Sequence, residues 1–391
     1  MNLTYKRFMG LLLAIVILLA PAAKTRAADA VPSMNVDARA ALLMEPTSGK
    51  LLLEQNIHEK LPPASVTKVM TMLLIYEAVA DGKIKWDDMV TISQHAADMG
   101  GSQIFLEPME QQTVRDLTKS IVVSSANDAA VAMAEFIAGS EDGFVVMMNN
   151  RAKDLGMNDT TFMNACGLDT PGHLTSAYDI ALMSRELINN HPEIYDFTKI
   201  WMDTITHKTA RGNTEFGLAN TNKLIKSYAG ATGLKTGSTS QAKYCISATA
   251  ARDNLNLIAV VLGAPDPKTR FHEAMKMFDY GFANFAAAAG EAAGTQMGVV
   301  PLYKGEVETV PVVVKRQMIA LIPKGKKGEL TSTVSIAEPL KAPVVKGTKA
   351  GEAIYFFDGK EVGRCDLVTA DEVQKANLQD MTHRLLRKWF M

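Results

Sequence analysis

Cysteine is scarce: three residues in 391, at Cys166, Cys245 and Cys365. They are too few and too widely spaced for a disulfide framework, and no CxxC pair or Cys/His cluster offers a zinc site. They read as buried free thiols. Charge of one sign is missing too. Forty-one basic residues balance 42 acidic ones to a net of -1, so no overall positive field favours nucleic acid as a partner. The seven histidines (His58, His95, His173, His191, His207, His272, His383) fall in no HExxH pattern, and no serine sits in a GxSxG elbow. Neither a metal nor any other cofactor is expected. For His173 the choice is between ordering a loop and a plain core or surface role. No repeat or low-complexity tract stands out.

Long apolar runs are confined to the N-terminus. Lys6 and Arg7 precede the apolar stretch Leu11–Ala20, and Thr25-Arg26-Ala27 or Ala28-Asp29-Ala30 offers a small-residue cleavage site. Residues 1–27 therefore read as a secretory signal peptide, the alternative being an uncleaved anchor. The remaining length accommodates a large domain and a second, smaller one. Ala40–Met44 and Leu51–Glu54 flank a turn and predict a hairpin. Apolar spacing predicts helices over Lys68–Val79, much of 114–190 and Arg270–Phe285, with a buried strand at Leu255–Gly263. Composition shifts near Ala286–Gly298. Beyond it the β-branched runs Val307–Val314, Met318–Ile322, Leu330–Ile336 and Ala353–Phe357 predict a small all-β domain at 297–369, with a tight hairpin at Asp358-Gly359. Residues 371–391 form a basic amphipathic pattern ending in Trp389-Phe390-Met391. That suits a helix lying on a membrane surface, or one docked on the β domain or on another protein.

Three short motifs carry the chemistry. Ser65-Val66-Thr67-Lys68 puts a hydroxyl and an amine three residues apart on one face of a helix start. The serine is a nucleophile only if a base takes its proton, and the lysine is that base only when neutral. Burial and a nearby cation both favour neutrality, and Lys235 is a candidate cation. The helix N-terminus adds amides able to hold an oxyanion. Ser125-Ala126-Asn127 precedes an alanine-rich helix and reads either as ordinary capping or as a proton relay and an amide clamp. Lys235-Thr236-Gly237, followed by Ser238, opens a strand where glycine permits close approach, two side chains can bind a carboxylate and the Ser238 amide can serve an oxyanion. Each motif alone is weak; the three in this order in an exported chain are not.

The chain resembles the D-alanyl-D-alanine carboxypeptidases, the low-molecular-mass penicillin-binding proteins. The likeness rests on Pro63–Met70, Gly101–Ile104, Asn164–Leu168, Gly172-His173, Asn220–Asn222 and Gly233–Gly237, and spans roughly residues 36–285. It implies an α/β fold of the β-lactamase/transpeptidase-like serine type over residues 34–290: a five-stranded antiparallel sheet flanked by helices. It implies that Ser65 forms an acyl-enzyme, Lys68 is its base, Ser125 and Asn127 assist, and Lys235 and Thr236 bind the terminal carboxylate. The implied substrate is a peptidoglycan pentapeptide ending in D-Ala-D-Ala, with a role in wall remodelling and cell shape at the outer face of the cytoplasmic membrane. β-Lactams would acylate the same serine. Ser238 and Lys243 depart from the family pattern, where a bulkier residue and a glycine are usual. Arg270 matches a family arginine, or else makes a surface salt bridge. Glu186 in Glu186–Asn189 loosely echoes the deacylating glutamate of class A β-lactamases.

Overall fold

A computed structural model describes residues 34–209, 212–326, 328–379 and 382. Residues 1–27, read from the sequence as a signal peptide, and most of the terminal amphipathic segment lie outside the described residues. Of that segment, residues 371–377 are not helical as expected: Val373 bridges to Val344 and Lys375 to Gly305, laying the chain against the β domain. Among the described residues no helix is long and apolar enough to cross a membrane.

The first layer is a five-stranded antiparallel sheet of β1 (Ala40–Glu45), β2 (Lys50–Gln55), β3 (Ala231–Thr239), β4 (Lys243–Arg252) and β5 (Leu255–Ala264), in the order β2-β1-β5-β4-β3. Its central strands are apolar on both sides because both faces are covered. Ala40, Leu42 and Met44 of β1 enter one core with Ile258, Val260 and Leu262 of β5. Ala41 and Leu43 enter the other with Leu257, Ala259 and Val261. Period two thus explains how a continuous apolar run stays a strand.

Helices α1 (Lys68–Ala80), α2 (Val114–Val123), α3 (Asn127–Ala138), α4 (Glu141–Asp154) and α5 (Ala177–Asn190) belong to the first core, and α6 (Pro267–Asn284) covers the opposite face. Ten of the thirteen residues of α1 are buried, so α1 is a central helix that opens on a lysine. At the start of α6, Asp266 accepts from the amides of Lys268 (2.7 Å) and Thr269 (2.9 Å), with Pro267 at the first position, where its missing N–H costs nothing.

The C-terminal domain is all-β, as expected. Strands β6 (Phe285–Ala289), β7 (Gln296–Tyr303), β8 (Thr309–Val314), β9 (Ile319–Pro323), β10 (Leu330–Ile336), β11 (Leu340–Lys341), β12 (Lys349–Phe357) and β13 (Lys360–Thr369) form a β6/β9 pair and a six-stranded sheet ordered β10-β12-β13-β8-β7-β11. Asp358 (φ 53°) and Gly359 (φ 72°) make the two-residue turn between β12 and β13. Two elements were not anticipated. Strand β6 is mostly alanine, a poor strand former, and is held by pairing with β9. The hairpin Met202–Thr209/Gly212–Ala219 was not anticipated although its first strand carries the β-branched residues Thr204, Ile205, Thr206 and Thr209.

Candidate active site

Ser65 lies in a 3-10 turn, Ala64–Thr67, that leads into α1. Lys68 is fully buried, and its Nζ reaches Ser65 Oγ at 3.1 Å, Asn127 Oδ1 at 2.6 Å and the Cys166 carbonyl at 2.7 Å. Burial lowers its pKa to about 8, while the Cys166 thiol and the Asp128 carboxylate act in the opposite sense. Of the two causes expected from the sequence, burial is thus the leading one for the lowered Lys68 pKa, and the Lys235 charge is not among the contributors.

Ser125 and Asn127 do not cap α3. The cap position is Ala126, which makes no side-chain cap bond. Asn127 instead bridges Lys68 and the Gly100 carbonyl, donating to the latter from Nδ2 at 2.6 Å. Ser125, at φ 62°, turns its Oγ to accept from Lys235 Nζ at 2.9 Å. Next to them, buried Asp128 gathers the amides of Ile104 (3.1 Å), Leu106 (3.1 Å) and Ala129 (2.9 Å), fixing the loop at the site's edge. Burial, partly offset by those amides, raises its pKa.

Strand β3 supplies the other wall, and as an edge strand it leaves one side unpaired by the sheet. Lys235 is buried, with Nζ also 2.9 Å from the Thr236 carbonyl. Burial first, then the charges of Lys68 and Arg270, hold its pKa well below the usual lysine range. Thr236 Oγ1 donates to Thr221 Oγ1 at 2.7 Å. A Cβ on Gly237 would stand 2.8 Å from the Ser65 nitrogen and 2.9 Å from that of Val66, so only glycine lets β3 pass this close to Ser65. Ser238, next along, is exposed. Lys243 adopts φ 57° in the β3–β4 turn, a conformation that explains why a glycine suits that position.

Arg270 is not in a surface salt bridge. It is buried behind β3, with Nη1 donating to the Gly237 carbonyl at 3.1 Å, and its Nε is the one buried side-chain nitrogen or oxygen without a partner among the described residues. Burial lowers its pKa to about 10. Of the three thiols, Cys166 and Cys245 are buried as expected, whereas Cys365 is half-buried. Glu186 lies on α5 and pairs with Arg151, which also holds Glu77, at 2.6 and 2.7 Å. The partners of Lys68 are Ser65, Asn127 and Cys166, and Glu186 is not among them.

The loop 164–175 is the supporting element that sequence reasoning undervalued. Its Cys166 carbonyl holds Lys68, and Gly167 (φ 88°) packs so tightly that a Cβ would sit 1.9 Å from the Ala64 carbonyl oxygen. Asn164 folds the loop by accepting from the amides of Gly167 (2.6 Å) and Leu168 (3.1 Å). His173 is buried. Its Nδ1 accepts from the Met163 amide at 3.0 Å, which leaves Nε2–H to donate to Thr67 Oγ1 at 2.8 Å. So His173 ties this loop to the Ala64–Thr67 turn. Desolvation lowers its pKa to about 4, against an ordinary value near 6.5. The unfolded chain therefore binds a proton that the folded chain refuses between those pH values, and stability falls as pH drops from about 6.5 to about 4. That linkage amounts to about 3 kcal/mol in all. Urea-unfolding midpoints measured across this range should fall, with a shallower slope in His173→Gln.

A second wall joins the edge loop to the Met202–Ala219 hairpin. Buried Glu110 Oε1 contacts His207 Nδ1 at 2.7 Å, and the rings of Phe105 and Phe216 meet edge-on at 5.9 Å.

The structure thus brings Ser65, Lys68 and Asn127 together, joins Ser125 to Lys235, and runs Gly237 beside Ser65. Residues 24–266 match the protein family described as D-alanyl-D-alanine carboxypeptidase. The chain belongs to the D-alanyl-D-alanine carboxypeptidase family. It is a serine-type carboxypeptidase, a hydrolase. Residues 291–375 match the C-terminal domain of penicillin-binding protein 5. The D-alanyl-D-alanine carboxypeptidase DacF of Bacillus subtilis is 40% identical over 354 residues, 90% of either chain. Penicillin-binding protein 5 of Haemophilus influenzae superposes with a TM-score of 0.71 at 33% identity, covering 88% of this chain and all of its own. Penicillin-binding protein D2 of Listeria monocytogenes, in a cefotaxime-bound form, aligns with a TM-score of 0.56 at 35% identity, over 64% of this chain and 99% of its own.

Proposed function

We propose that this carboxypeptidase removes the terminal D-alanine of peptidoglycan stem peptides through an ester on Ser65. The observation that carries the reading is the pair of buried lysines, each hydrogen-bonded to a motif serine: Lys68 to Ser65 and Lys235 to Ser125. The substrate lies extended along β3, its carboxylate against Lys235 and Thr236. An anion there favours the ammonium form of Lys235, and the restored charge in turn favours a neutral Lys68. Neutral Lys68 takes the Ser65 proton as Oγ attacks the penultimate D-alanine carbonyl. The amides of Ser65 and Ser238 hold the oxyanion. The C–N bond breaks as Ser125 relays the proton held on Lys68 to the leaving amine, which restores neutral Lys68, and Asn127 keeps Lys68 in place. Water then cleaves the ester and returns the proton to Ser65.

The same chemistry opens a β-lactam ring, consistent with the cefotaxime complex described for the Listeria protein. Export on the 1–27 signal, association of 371–391 with the membrane surface and a part in cell-shape control belong to the same reading. Incubation with penicillin followed by peptide mass spectrometry tests it. An adduct of the intact drug is expected on the peptide containing Ser65; an adduct elsewhere, or none, would refute the assignment. A β-lactamase reading is disfavoured because Glu186 is held by Arg151.

A further inference from the structure

Strand β10 is an edge without the usual protection. Its sequence, Leu330-Thr331-Ser332-Thr333-Val334-Ser335-Ile336, has no charge, proline or glycine, and every residue after Leu330 is exposed. Natural edge strands are blunted by charge, brevity or a covering segment. The other edges of the two large sheets follow that rule. Strand β2 carries Lys50 and Glu54, β11 has only two residues, and β3 lies against the Ser65 turn.

The ladder to β12 fixes which backbone groups of β10 are free. Ala337 donates to the Ala350 carbonyl, so in this antiparallel register Ser335, Thr333 and Thr331 also form the hydrogen-bonded pairs, with Glu352, Ile354 and Phe356. The N–H and C=O groups of Leu330, Ser332, Val334 and Ile336 therefore point outward. The same four side chains share the face of Ala353, Tyr355 and Phe357, which are buried. Yet Val334 and Ile336 remain 39% and 36% exposed, Ile336 with its Cδ1 against Gly298 of β7.

We infer that β10 pairs with β10 of a second copy of this chain, antiparallel, about a two-fold axis at Thr333. The strand is self-complementary in that register. Outward-facing Leu330 meets Ile336 of the second copy, and Ser332 meets its Val334. Four hydrogen-bonded pairs of two bonds each give about eight backbone bonds. The absence of charge on the strand means that no like charges meet across the axis. At each end Gly328 lies opposite Glu338 of the other copy, which brings that carboxylate close to Lys326. Lys326 is an exposed residue that pairs with Asp358 at 3.3 Å. Leu330 and Ile336 form an apolar pair at either end, continuing the covered face across both copies. A single strand pair falls below about 1,200 Å² of buried surface, so the association is of the weak, concentration-dependent class.

Sedimentation of the full chain tests this. Monomer is expected near about 1 µM and dimer near about 100 µM. Val334→Pro removes an outward donor without touching the ladder to β12, and Val334→Lys sets two like charges across the axis. Both should weaken association at least about tenfold, with melting temperature and D-alanine release unchanged, while Val334→Thr associates as wild type. Register is read by cysteine cross-linking. Residue 333 faces its own copy in a non-hydrogen-bonded pair, with Cα atoms about 4.5 Å apart, so Thr333→Cys should form a dimer on mild oxidation. Residue 335 lies about 13 Å from its copy, so Ser335→Cys should not. A wild type that stays monomeric throughout overturns the inference. So does association unchanged in both Val334→Pro and Val334→Lys, or cross-linking through Ser335→Cys but not Thr333→Cys.

Discussion

Ser65→Ala is expected to lower turnover of a D-Ala-D-Ala peptide by about 10⁴-fold or more while leaving the fold intact. Ser65 Oγ accepts one hydrogen bond, from Lys68, and the rest of the Lys68 cage (Asn127 and the Cys166 carbonyl) does not involve it. Lys68→Met should cost a similar factor, because nucleophile and base act as one unit, and the double variant should be little worse than either. Wild-type kcat/KM should rise with pH and level off above about 8, where the neutral amine becomes the main form. Stopped-time assays of D-alanine release from pH 6 to 10 measure all of these (a range chosen to bracket the lysine). An unchanged rate in Ser65→Ala would remove the nucleophile from the scheme.

Gly167→Ala should be the most damaging substitution outside the three motifs. The new methyl would meet the Ala64 carbonyl oxygen at 1.9 Å and Thr67 Oγ1 at 2.8 Å, and φ 88° is itself unfavourable for alanine. Ala64 belongs to the nucleophile turn and already has φ 49°, so the backbone there has little freedom to yield. We expect a stability loss above about 3 kcal/mol and at least about 100-fold slower acylation, because a displacement of about 1 Å at Ser65 is enough for that. Gly82→Ala provides the comparison. It shares a positive φ (71°) but has nothing within 4 Å, so it should cost only about 1 kcal/mol with no change in rate. Urea midpoints and labelled-penicillin binding separate the two effects.

What was legible in the sequence has a local physical cause. The run Leu255–Gly263 is apolar because both sheet faces are covered, and Asp358-Gly359 forms its turn because the two residues tolerate positive φ. The motif residues converge as their order and elements implied. What escaped depends on contacts distant in the chain. Ser125 and Asn127 look like caps until Lys235 and Lys68 arrive from elsewhere to claim their side chains. His173 and Gly167 are ordinary loop residues until the loop closes on the nucleophile turn. The shift of Lys68 comes first from burial, which no spacing reveals. Strand β6, Phe285–Ala289, defies its composition because its partner strand supplies the hydrogen bonds.

The ion pair that occupies Glu186 bears on antibiotic economy. Arg151 engages Glu186 and Glu77, which leaves that carboxylate engaged on α5. A drug ester on Ser65 would then lack the water-activating acid by which class A β-lactamases free themselves. Each enzyme molecule would be silenced by a single drug molecule, and sensitivity would follow stoichiometry: how many copies a cell carries, set against how many antibiotic molecules reach them.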